Sequence, residues 1–237
     1  MATHSILQNV NFHDLDFNGI CRASALLKFM QNAAQNQLNS NNLGYQHLLN
    51  KKRAFILSRI TLKFDEPVYE DDAIQATTYP CESSGFSFIR NFELSRNGVR
   101  IARGLSVWAL IDTDTHNLIK VSDFELGLKT LPSPTDFKIE RIRFPQELIL
   151  AGNYKVAYGD LDRNNHINNT RYPDIYSCFL PLKNKRISSI TINYMNEAKF
   201  GENLSVYCAE TDGAHYIRTV REDGKINSEA EIHLKDI

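Results

Sequence analysis

Hydrophobic positions along the chain change their spacing twice, in the same order each time. Ala23, Leu26, Leu27, Met30 and Ala34 recur at three- and four-residue intervals, the spacing of one helix face. Further on, Phe86, Phe88, Phe92 and Leu94, then Leu105, Val107, Ala109 and Ile111, keep to steps of two, which predicts half-buried strands. The second half repeats this order. Tyr172, Ile175, Tyr176 and Phe179 follow helical spacing, with Pro173 acceptable in a first turn. Ser228, Ala230, Ile232 and Leu234 then alternate with Glu229, Glu231 and His233. Each half therefore predicts one helix against a run of antiparallel strands, an α+β arrangement present twice.

The wording repeats as well as the spacing. Residues 11–18 read NFHDLDFN and residues 157–164 read AYGDLDRN; SRITLKF at 58–64 corresponds to SSITINY at 188–194. The offset is 146 residues at the first pair and 130 at the second, so about sixteen extra residues belong in 22–53 of the first half. Between the halves, LKTLPSPTDFKIERIRFP at 128–145 carries three prolines and loses apolar periodicity, which predicts a linker or an extended crossing strand. The expected domains are 1–127, the linker 128–145, and 146–237.

Composition narrows the function without choosing it. The chain has 237 residues, 42% hydrophobic and 23% charged, with a net charge of −1. A nucleic-acid binder usually carries a basic excess, so that class is disfavoured. No stretch approaches the roughly 18 apolar residues of a membrane span, and the N-terminus lacks the basic and apolar regions of a signal peptide. Cys21, Cys81, Cys178 and Cys208 are scattered without metal-ligand spacing, as expected of reduced thiols in a cytoplasmic protein. No metal and no cofactor is called for, and no phosphate loop or nucleophile elbow is found.

One stretch stands out: YGDLDRNNHINNTRY, residues 158–172. From Asp160 to Asn169 eight of ten residues are polar, including two Asp, four Asn and one His. Asx residues shape turns and cap helices, but a turn does not require an imidazole. The repeat supplies an internal control, because position 166 corresponds to Ile20. D-L-D-x-N alone fits a shared turn, whereas His166 and the pair Asn168–Asn169 belong to the second half only.

The string Asp160 to Tyr172 resembles the signature of tandem hotdog thioesterases of the acyl-ACP type. ARGLSVWALIDTDTHNLIKVS (102–122) and INYMNEAKFGE (192–202) extend the resemblance over nearly the whole chain. It implies two tandem hotdog domains, each an antiparallel sheet around a central helix, and hydrolysis of fatty acyl-ACP that ends chain elongation. By position, the family's catalytic Asp, Asn and His fall on Asp162, Asn164 and His166, and its Tyr-x-x-Glu on Tyr194 and Glu197. Plant members place a Cys after that Glu; here Ala198 stands there, so no thiol acts at that point. Cys178 and Cys208 are expected to be buried and structural. Plant members carry a transit peptide; its absence here suggests a bacterial-type cytoplasmic enzyme.

The implied chemistry suits these residue types. Asp162 could attack the thioester or activate water, His166 could transfer protons, Asn164 could polarise the carbonyl, and Glu197 could tune His166 or hold a water. Asp160 is expected to shape the turn and Asn168 to cap a helix. The first half is expected to hold the acyl chain against Leu26, Leu27, Met30, Phe86 and Phe88. The acyl carrier protein is the implied partner, with a basic rim drawn from Arg96, Arg100, Arg103, Lys183, Lys185 and Arg186; a homodimer is compatible. Rival readings are an acyl-CoA thioesterase, a hotdog dehydratase, and a non-catalytic acyl-binding module.

Overall fold

The computed structural model describes residues 2–139 and 141–237. The chain divides into two compact units. The first comprises Met1–Val10, Lys28–Glu66 and Asp71–Ile139; the second comprises Asn11–Leu27, Pro67–Glu70 and Glu140–Ile237. The turn that opens the first repeat, and the short segment 67–70, therefore group with the second unit.

In the first unit the strands are β1 (His4–Asn9), β2 (Arg53–Phe64), β3 (Ala73–Pro80), β4 (Phe88–Arg96), β5 (Val99–Asp112) and β6 (Leu118–Ile119). They pair antiparallel in the order β1-β3-β4-β5-β2, and β6 adds to β5. Helix α1 (Ala23–Ser40) has 18 residues, and a shorter helix α2 (Tyr45–Asn50) follows it. Met30 and Ala33, on the part of α1 that lies in this unit, are fully buried. The close approach of α1 requires a glycine: a Cβ at Gly104 of β5 would stand 2.8 Å from Leu62 Cδ2 and 3.1 Å from Met30 Sδ.

The helix-facing side of β5 differs from the alternation read in the sequence. Phe88, Arg90, Phe92 and Leu94 of β4 pair with Trp108, Ser106, Gly104 and Ala102. Of these, Ser106, Gly104 and Ala102 are small, and at Gly104 a Cβ would collide with Leu62 and Met30. Leu105, expected on the main core face with Val107, Ala109 and Ile111, lies on the other side in a second cluster with Cys81 and Phe137, flanked by Tyr79, Ile89 and Ile139. Segment 128–139 covers that side. It is pinned by Leu131 N–H to Pro80 O (3.1 Å) and Glu82 N–H to Leu131 O (2.8 Å). A two-sided sheet has apolar residues in both registers, so alternation alone could not assign the faces.

In the second unit β7 (Ile149–Lys155), β8 (Lys185–Tyr194), β9 (Asn203–Thr211), β10 (Ala214–Arg221) and β11 (Ile226–Asp236) pair antiparallel in the order β8-β11-β10-β9-β7. Its helix α3 (Tyr172–Ser177) has only six residues and buries Tyr172, Pro173, Ile175 and Tyr176. The extra residues inferred for 22–53 are thus the longer α1 together with α2. Each unit is a hotdog-like sheet with its own helix, the expected α+β class. Among the described residues no helix is long and apolar enough to cross a membrane, and no group of three His, Cys, Asp or Glu is placed to hold a metal ion.

Candidate active site

The stretch 158–172 folds as two Asx-built turns. Tyr158–Asp160 forms a single 3-10 turn, closed by Asp160 Oδ2, which accepts from the Ala157 N–H (2.9 Å) and the Tyr154 hydroxyl (2.8 Å). Asp160 is buried, with the Arg171 guanidinium 3.5 Å away, so it has the structural role expected of it. Burial and the Asp160 carboxylate together push the Tyr154 hydroxyl well above its ordinary range.

Asp162 then closes a tight loop. Its N–H donates to His166 O (2.8 Å), and its Oδ1 accepts from the N–H groups of Asn164 (2.8 Å) and His166 (3.4 Å). Asn165 sits at φ 62°, a left-handed conformation that Asn tolerates better than most residues. Oδ2 of Asp162 accepts from the Asn164 side-chain amide at 3.3 Å. Asn168 caps the following turn as expected, its Oδ1 accepting from Thr170 N–H (3.0 Å) and Thr170 Oγ1 (2.9 Å).

The loop meets the segment after β8. Ile167 N–H donates to Ala198 O at 3.0 Å, and His166 bridges Lys199. That contact sets His166 Nε2 3.1 Å from Glu197 Oε2, the imidazole largely covered and the carboxylate open to solvent. Tyr194 anchors the other end of the motif, its hydroxyl donating to Asn169 O at 3.0 Å and its ring meeting Tyr172 edge-on. Asp162, Asn164, His166 and Glu197 are therefore brought together, with Asn164 linked to Asp162 and His166 to Glu197. Ala198 is fully buried and offers no thiol. Cys178 is exposed and Cys208 half-buried, against the expectation that both are buried; α3 ends at Ser177, so Cys178 falls outside the packed helix.

The first repeat builds the same turn without the imidazole. Asp16 N–H donates to Ile20 O (2.8 Å), Asp16 Oδ1 accepts from Asn18 N–H (2.8 Å) and Ile20 N–H (3.1 Å), and Gly19 takes φ 75°. Cys21 N–H donates to Val68 O at 2.8 Å, the counterpart of Ile167 to Ala198. Ile20 therefore stands where the second repeat has His166, and Pro67 where it has Glu197.

Residues 10–149 match the thioesterase-like superfamily, and residues 145–236 match the acyl-ACP thioesterase C-terminal domain. The chain belongs to the thioesterase-like superfamily, as an acyl-ACP thioesterase. The fold is that of an acyl-ACP thioesterase from Bacteroides thetaiotaomicron, 21% identical, with a TM-score of 0.90 over 99% of this chain and 98% of that one. A 12:0-ACP thioesterase from Umbellularia californica is 16% identical, with a TM-score of 0.85 over 100% and 98% of the two chains. No curated protein sequence matches the chain significantly. Membership assigns hydrolysis of the acyl-ACP thioester, so the chain is a thioester hydrolase.

In this thioesterase the five apolar positions expected to line a slot separate. Leu26, Leu27, Met30 and Phe88 are buried. Phe86 is exposed, its ring 5.9 Å from Lys120 Nζ. Phe88 packs edge-on against Phe55 and Phe124. The same strand face also carries a buried cation that the pattern of phenylalanines concealed. Arg90 donates to Gln37 Oε1 (2.7 Å) and Thr78 Oγ1 (3.1 Å), and burial pushes its guanidinium down to about 10. The basic rim is smaller than expected. Arg186 is buried, Arg96 pairs with Asp72, and Arg103 pairs with Asp136 while stacking on Phe137. Arg100 and Lys183 are exposed.

Proposed function

We propose that Asp162, Asn164, His166 and Glu197 are the groups that hydrolyse the acyl-ACP thioester. The observation that carries this is the His166–Glu197 pair at 3.1 Å, built on a turn whose other copy has Ile20 and Pro67 at those positions. A turn needs neither side chain, so their joint presence points to chemistry. Glu197 orients the imidazole, the base-and-orienter arrangement of many hydrolases.

Asp162 is placed to use one oxygen for structure and one for reaction. Oδ1 holds the loop through two N–H groups, while Oδ2 faces the Asn164 amide. Attack runs through Oδ2, either on the carbonyl carbon or on a proton of a water that forms the new C–O bond. The Asn164 amide donates to the oxygen that becomes negative, a contribution worth about 10²–10³ in rate at comparable sites. As the C–S bond breaks, His166 delivers a proton to the departing thiolate of the carrier. In the direct route the products are free fatty acid and carrier thiol; in the covalent route water then releases the acyl group from Asp162.

The test is thiol release from acyl-ACP and acyl-CoA of about eight to eighteen carbons, with Asp162→Asn and His166→Ala as controls. Turnover preferring acyl-ACP and collapsing in both variants supports the assignment. Asp162→Asn keeps a side-chain carbonyl for the turn, so an undiminished rate in it overturns the role of Oδ2. A single turnover in ¹⁸O-water tests the routes: direct attack labels the fatty acid and leaves Asp162 unlabelled, whereas an acyl-Asp162 intermediate opened at the Asp162 carboxyl carbon labels Asp162 and releases unlabelled fatty acid.

A further inference from the structure

The segment that carries Glu197 is held from behind by Asn227. Asn227 O accepts the N–H groups of Met195 (2.9 Å) and Asn196 (3.1 Å), and Asn227 Nδ2 donates back to Asn196 O at 2.5 Å. The second amide hydrogen goes to the Tyr172 hydroxyl (2.9 Å), and Oδ1 accepts from Thr219 Oγ1 (2.8 Å). The side chain is fully buried, and its whole hydrogen-bonding capacity for donation is used. Asn196 adds a bond of its own from Nδ2 to Ile226 O at 2.7 Å. The next residue is Glu197.

Asn227 faces inward because of a β-bulge. Thr219 pairs with Ser228 and Val220 with Ile226, so the ladder skips Asn227, and two successive residues of β11 are buried. The first repeat has the same bulge. Leu94 pairs with Ala102 and Ser95 with Arg100, skipping Ile101, whose carbonyl accepts from Asp65 N–H (2.8 Å) and Glu66 N–H (3.3 Å). The backbone clamp is therefore common to both repeats, and an isoleucine suffices for it. Only the repeat with His166 and Glu197 places an amide there, reaching the carbonyl just before Glu197. Bulges recur beside active sites, where they re-aim a side chain.

We infer that Asn227 is a positioning residue for the reaction: its buried amide fixes the Asn196–Glu197 peptide and so holds the Glu197 carboxylate on His166 Nε2. This rests on the proposed roles of His166 and Glu197. Removing the amide leaves the carrier and the acyl chain bound as before but lets Glu197 drift, so it acts on kcat and not on KM.

The experiment is a double-mutant cycle on acyl-ACP hydrolysis with Asn227→Ile, Asn227→Asp and Glu197→Gln, each checked by thermal unfolding. Asn227→Ile installs the residue of the first repeat; Asn227→Asp keeps the shape and loses the donor. The expected result is a fall in kcat of about tenfold or more with KM within about twofold, and no further loss when either change is added to Glu197→Gln. Full kcat in a folded Asn227 variant, or losses that multiply with Glu197→Gln, overturns the inference. Should both Asn227 variants fail to fold, Asn196→Ala serves, since it loosens the same peptide from the exposed side. There a kcat loss of a few fold, absent in the Glu197→Gln background, is expected, and an unchanged kcat refutes. If His166→Ala and Glu197→Gln themselves leave turnover intact, it is the catalytic assignment that fails.

Discussion

The two Asx turns, Asp14–Arg22 and Asp160–Asn168, are nearly the same object with different contents. In both, the first Asp closes a 3-10 turn through its side chain: Asp14 Oδ2 accepts Asn11 N–H at 3.0 Å, Asp160 Oδ2 accepts Ala157 N–H at 2.9 Å. In both, the carbonyl of that Asp takes a later N–H, from Arg22 (2.9 Å) or Asn168 (2.8 Å). The second Asp ties its own loop in each. The Asn that follows differs: Asn18 donates to the carbonyls of Leu182 and Lys185, whereas Asn164 turns to Asp162. The comparison shows that most of the motif is scaffold. The second turn differs by a small set of replacements on it and beneath it, His166 for Ile20, Glu197 for Pro67 and Asn227 for Ile101, and it is to these that we propose to assign its reactivity.

That view is broken or sharpened by substitution. The largest effect is expected at His166→Ala, a loss of about 10²–10⁴ in kcat for acyl-ACP, whereas Ile20→Ala should leave kcat within about twofold. Steady-state thiol release measures both, and comparable losses at the two positions would mean that the turn matters only structurally. Next come the paired aspartates. Asp16→Ala and Asp162→Ala each remove an acceptor for two N–H groups, and each should destabilise by about 1–3 kcal/mol in urea unfolding. Only Asp162→Ala should abolish turnover.

The helices extend the comparison. Gly104→Val drives two methyl groups toward Leu62 and Met30, and a loss of about 1–3 kcal/mol is expected by chemical denaturation. The second unit instead packs its helix through polar contacts. Tyr176 donates to Ser228 Oγ at 2.7 Å, and Ser228 and Thr219 hydroxyls lie 2.6 Å apart. Tyr176→Phe should cost about 1 kcal/mol near neutral pH. Burial raises the Tyr176 hydroxyl well above its ordinary range. The protonated form is thus favoured in the folded state, and its contribution is complete below the unfolded value of about 10. Stability should fall as pH rises beyond that, less steeply in Tyr176→Phe; an identical alkaline slope would remove the tyrosine from the account.

Particular residues show where reading a sequence stops. Position 166 was legible because the repeat offered Ile20 for contrast. The turn role of Asp160 and the cap at Asn168 were legible because short-range Asx bonds depend on few neighbours. Asn227 was not: alternation along Ser228, Ala230 and Ile232 assigns it to the outer face with Glu229 and Glu231. A bulge shifts that register by one, and nothing in SEAEIHL announces it. Arg90 was hidden in the same way, as one charge within a face of phenylalanines. The side of Leu105 depended on segment 128–139, which packs from a distance of many residues.

The sequence by itself determined the duplicated α+β plan, the two turns, and the residues Asp162, Asn164, His166 and Glu197 as the candidates for chemistry. The plan and the turns follow from local periodicity and short-range hydrogen bonding, His166 from contrast between repeats, and Asp162, Asn164 and Glu197 from the resemblance of their motifs to acyl-ACP thioesterases. Only the tertiary structure decided which candidates pair, which sheet faces are covered, and that the strap bearing Glu197 is held by an asparagine thirty residues further on. Those outcomes depend on strand register and on contacts between distant segments. A single bulged residue changes them without changing the local pattern.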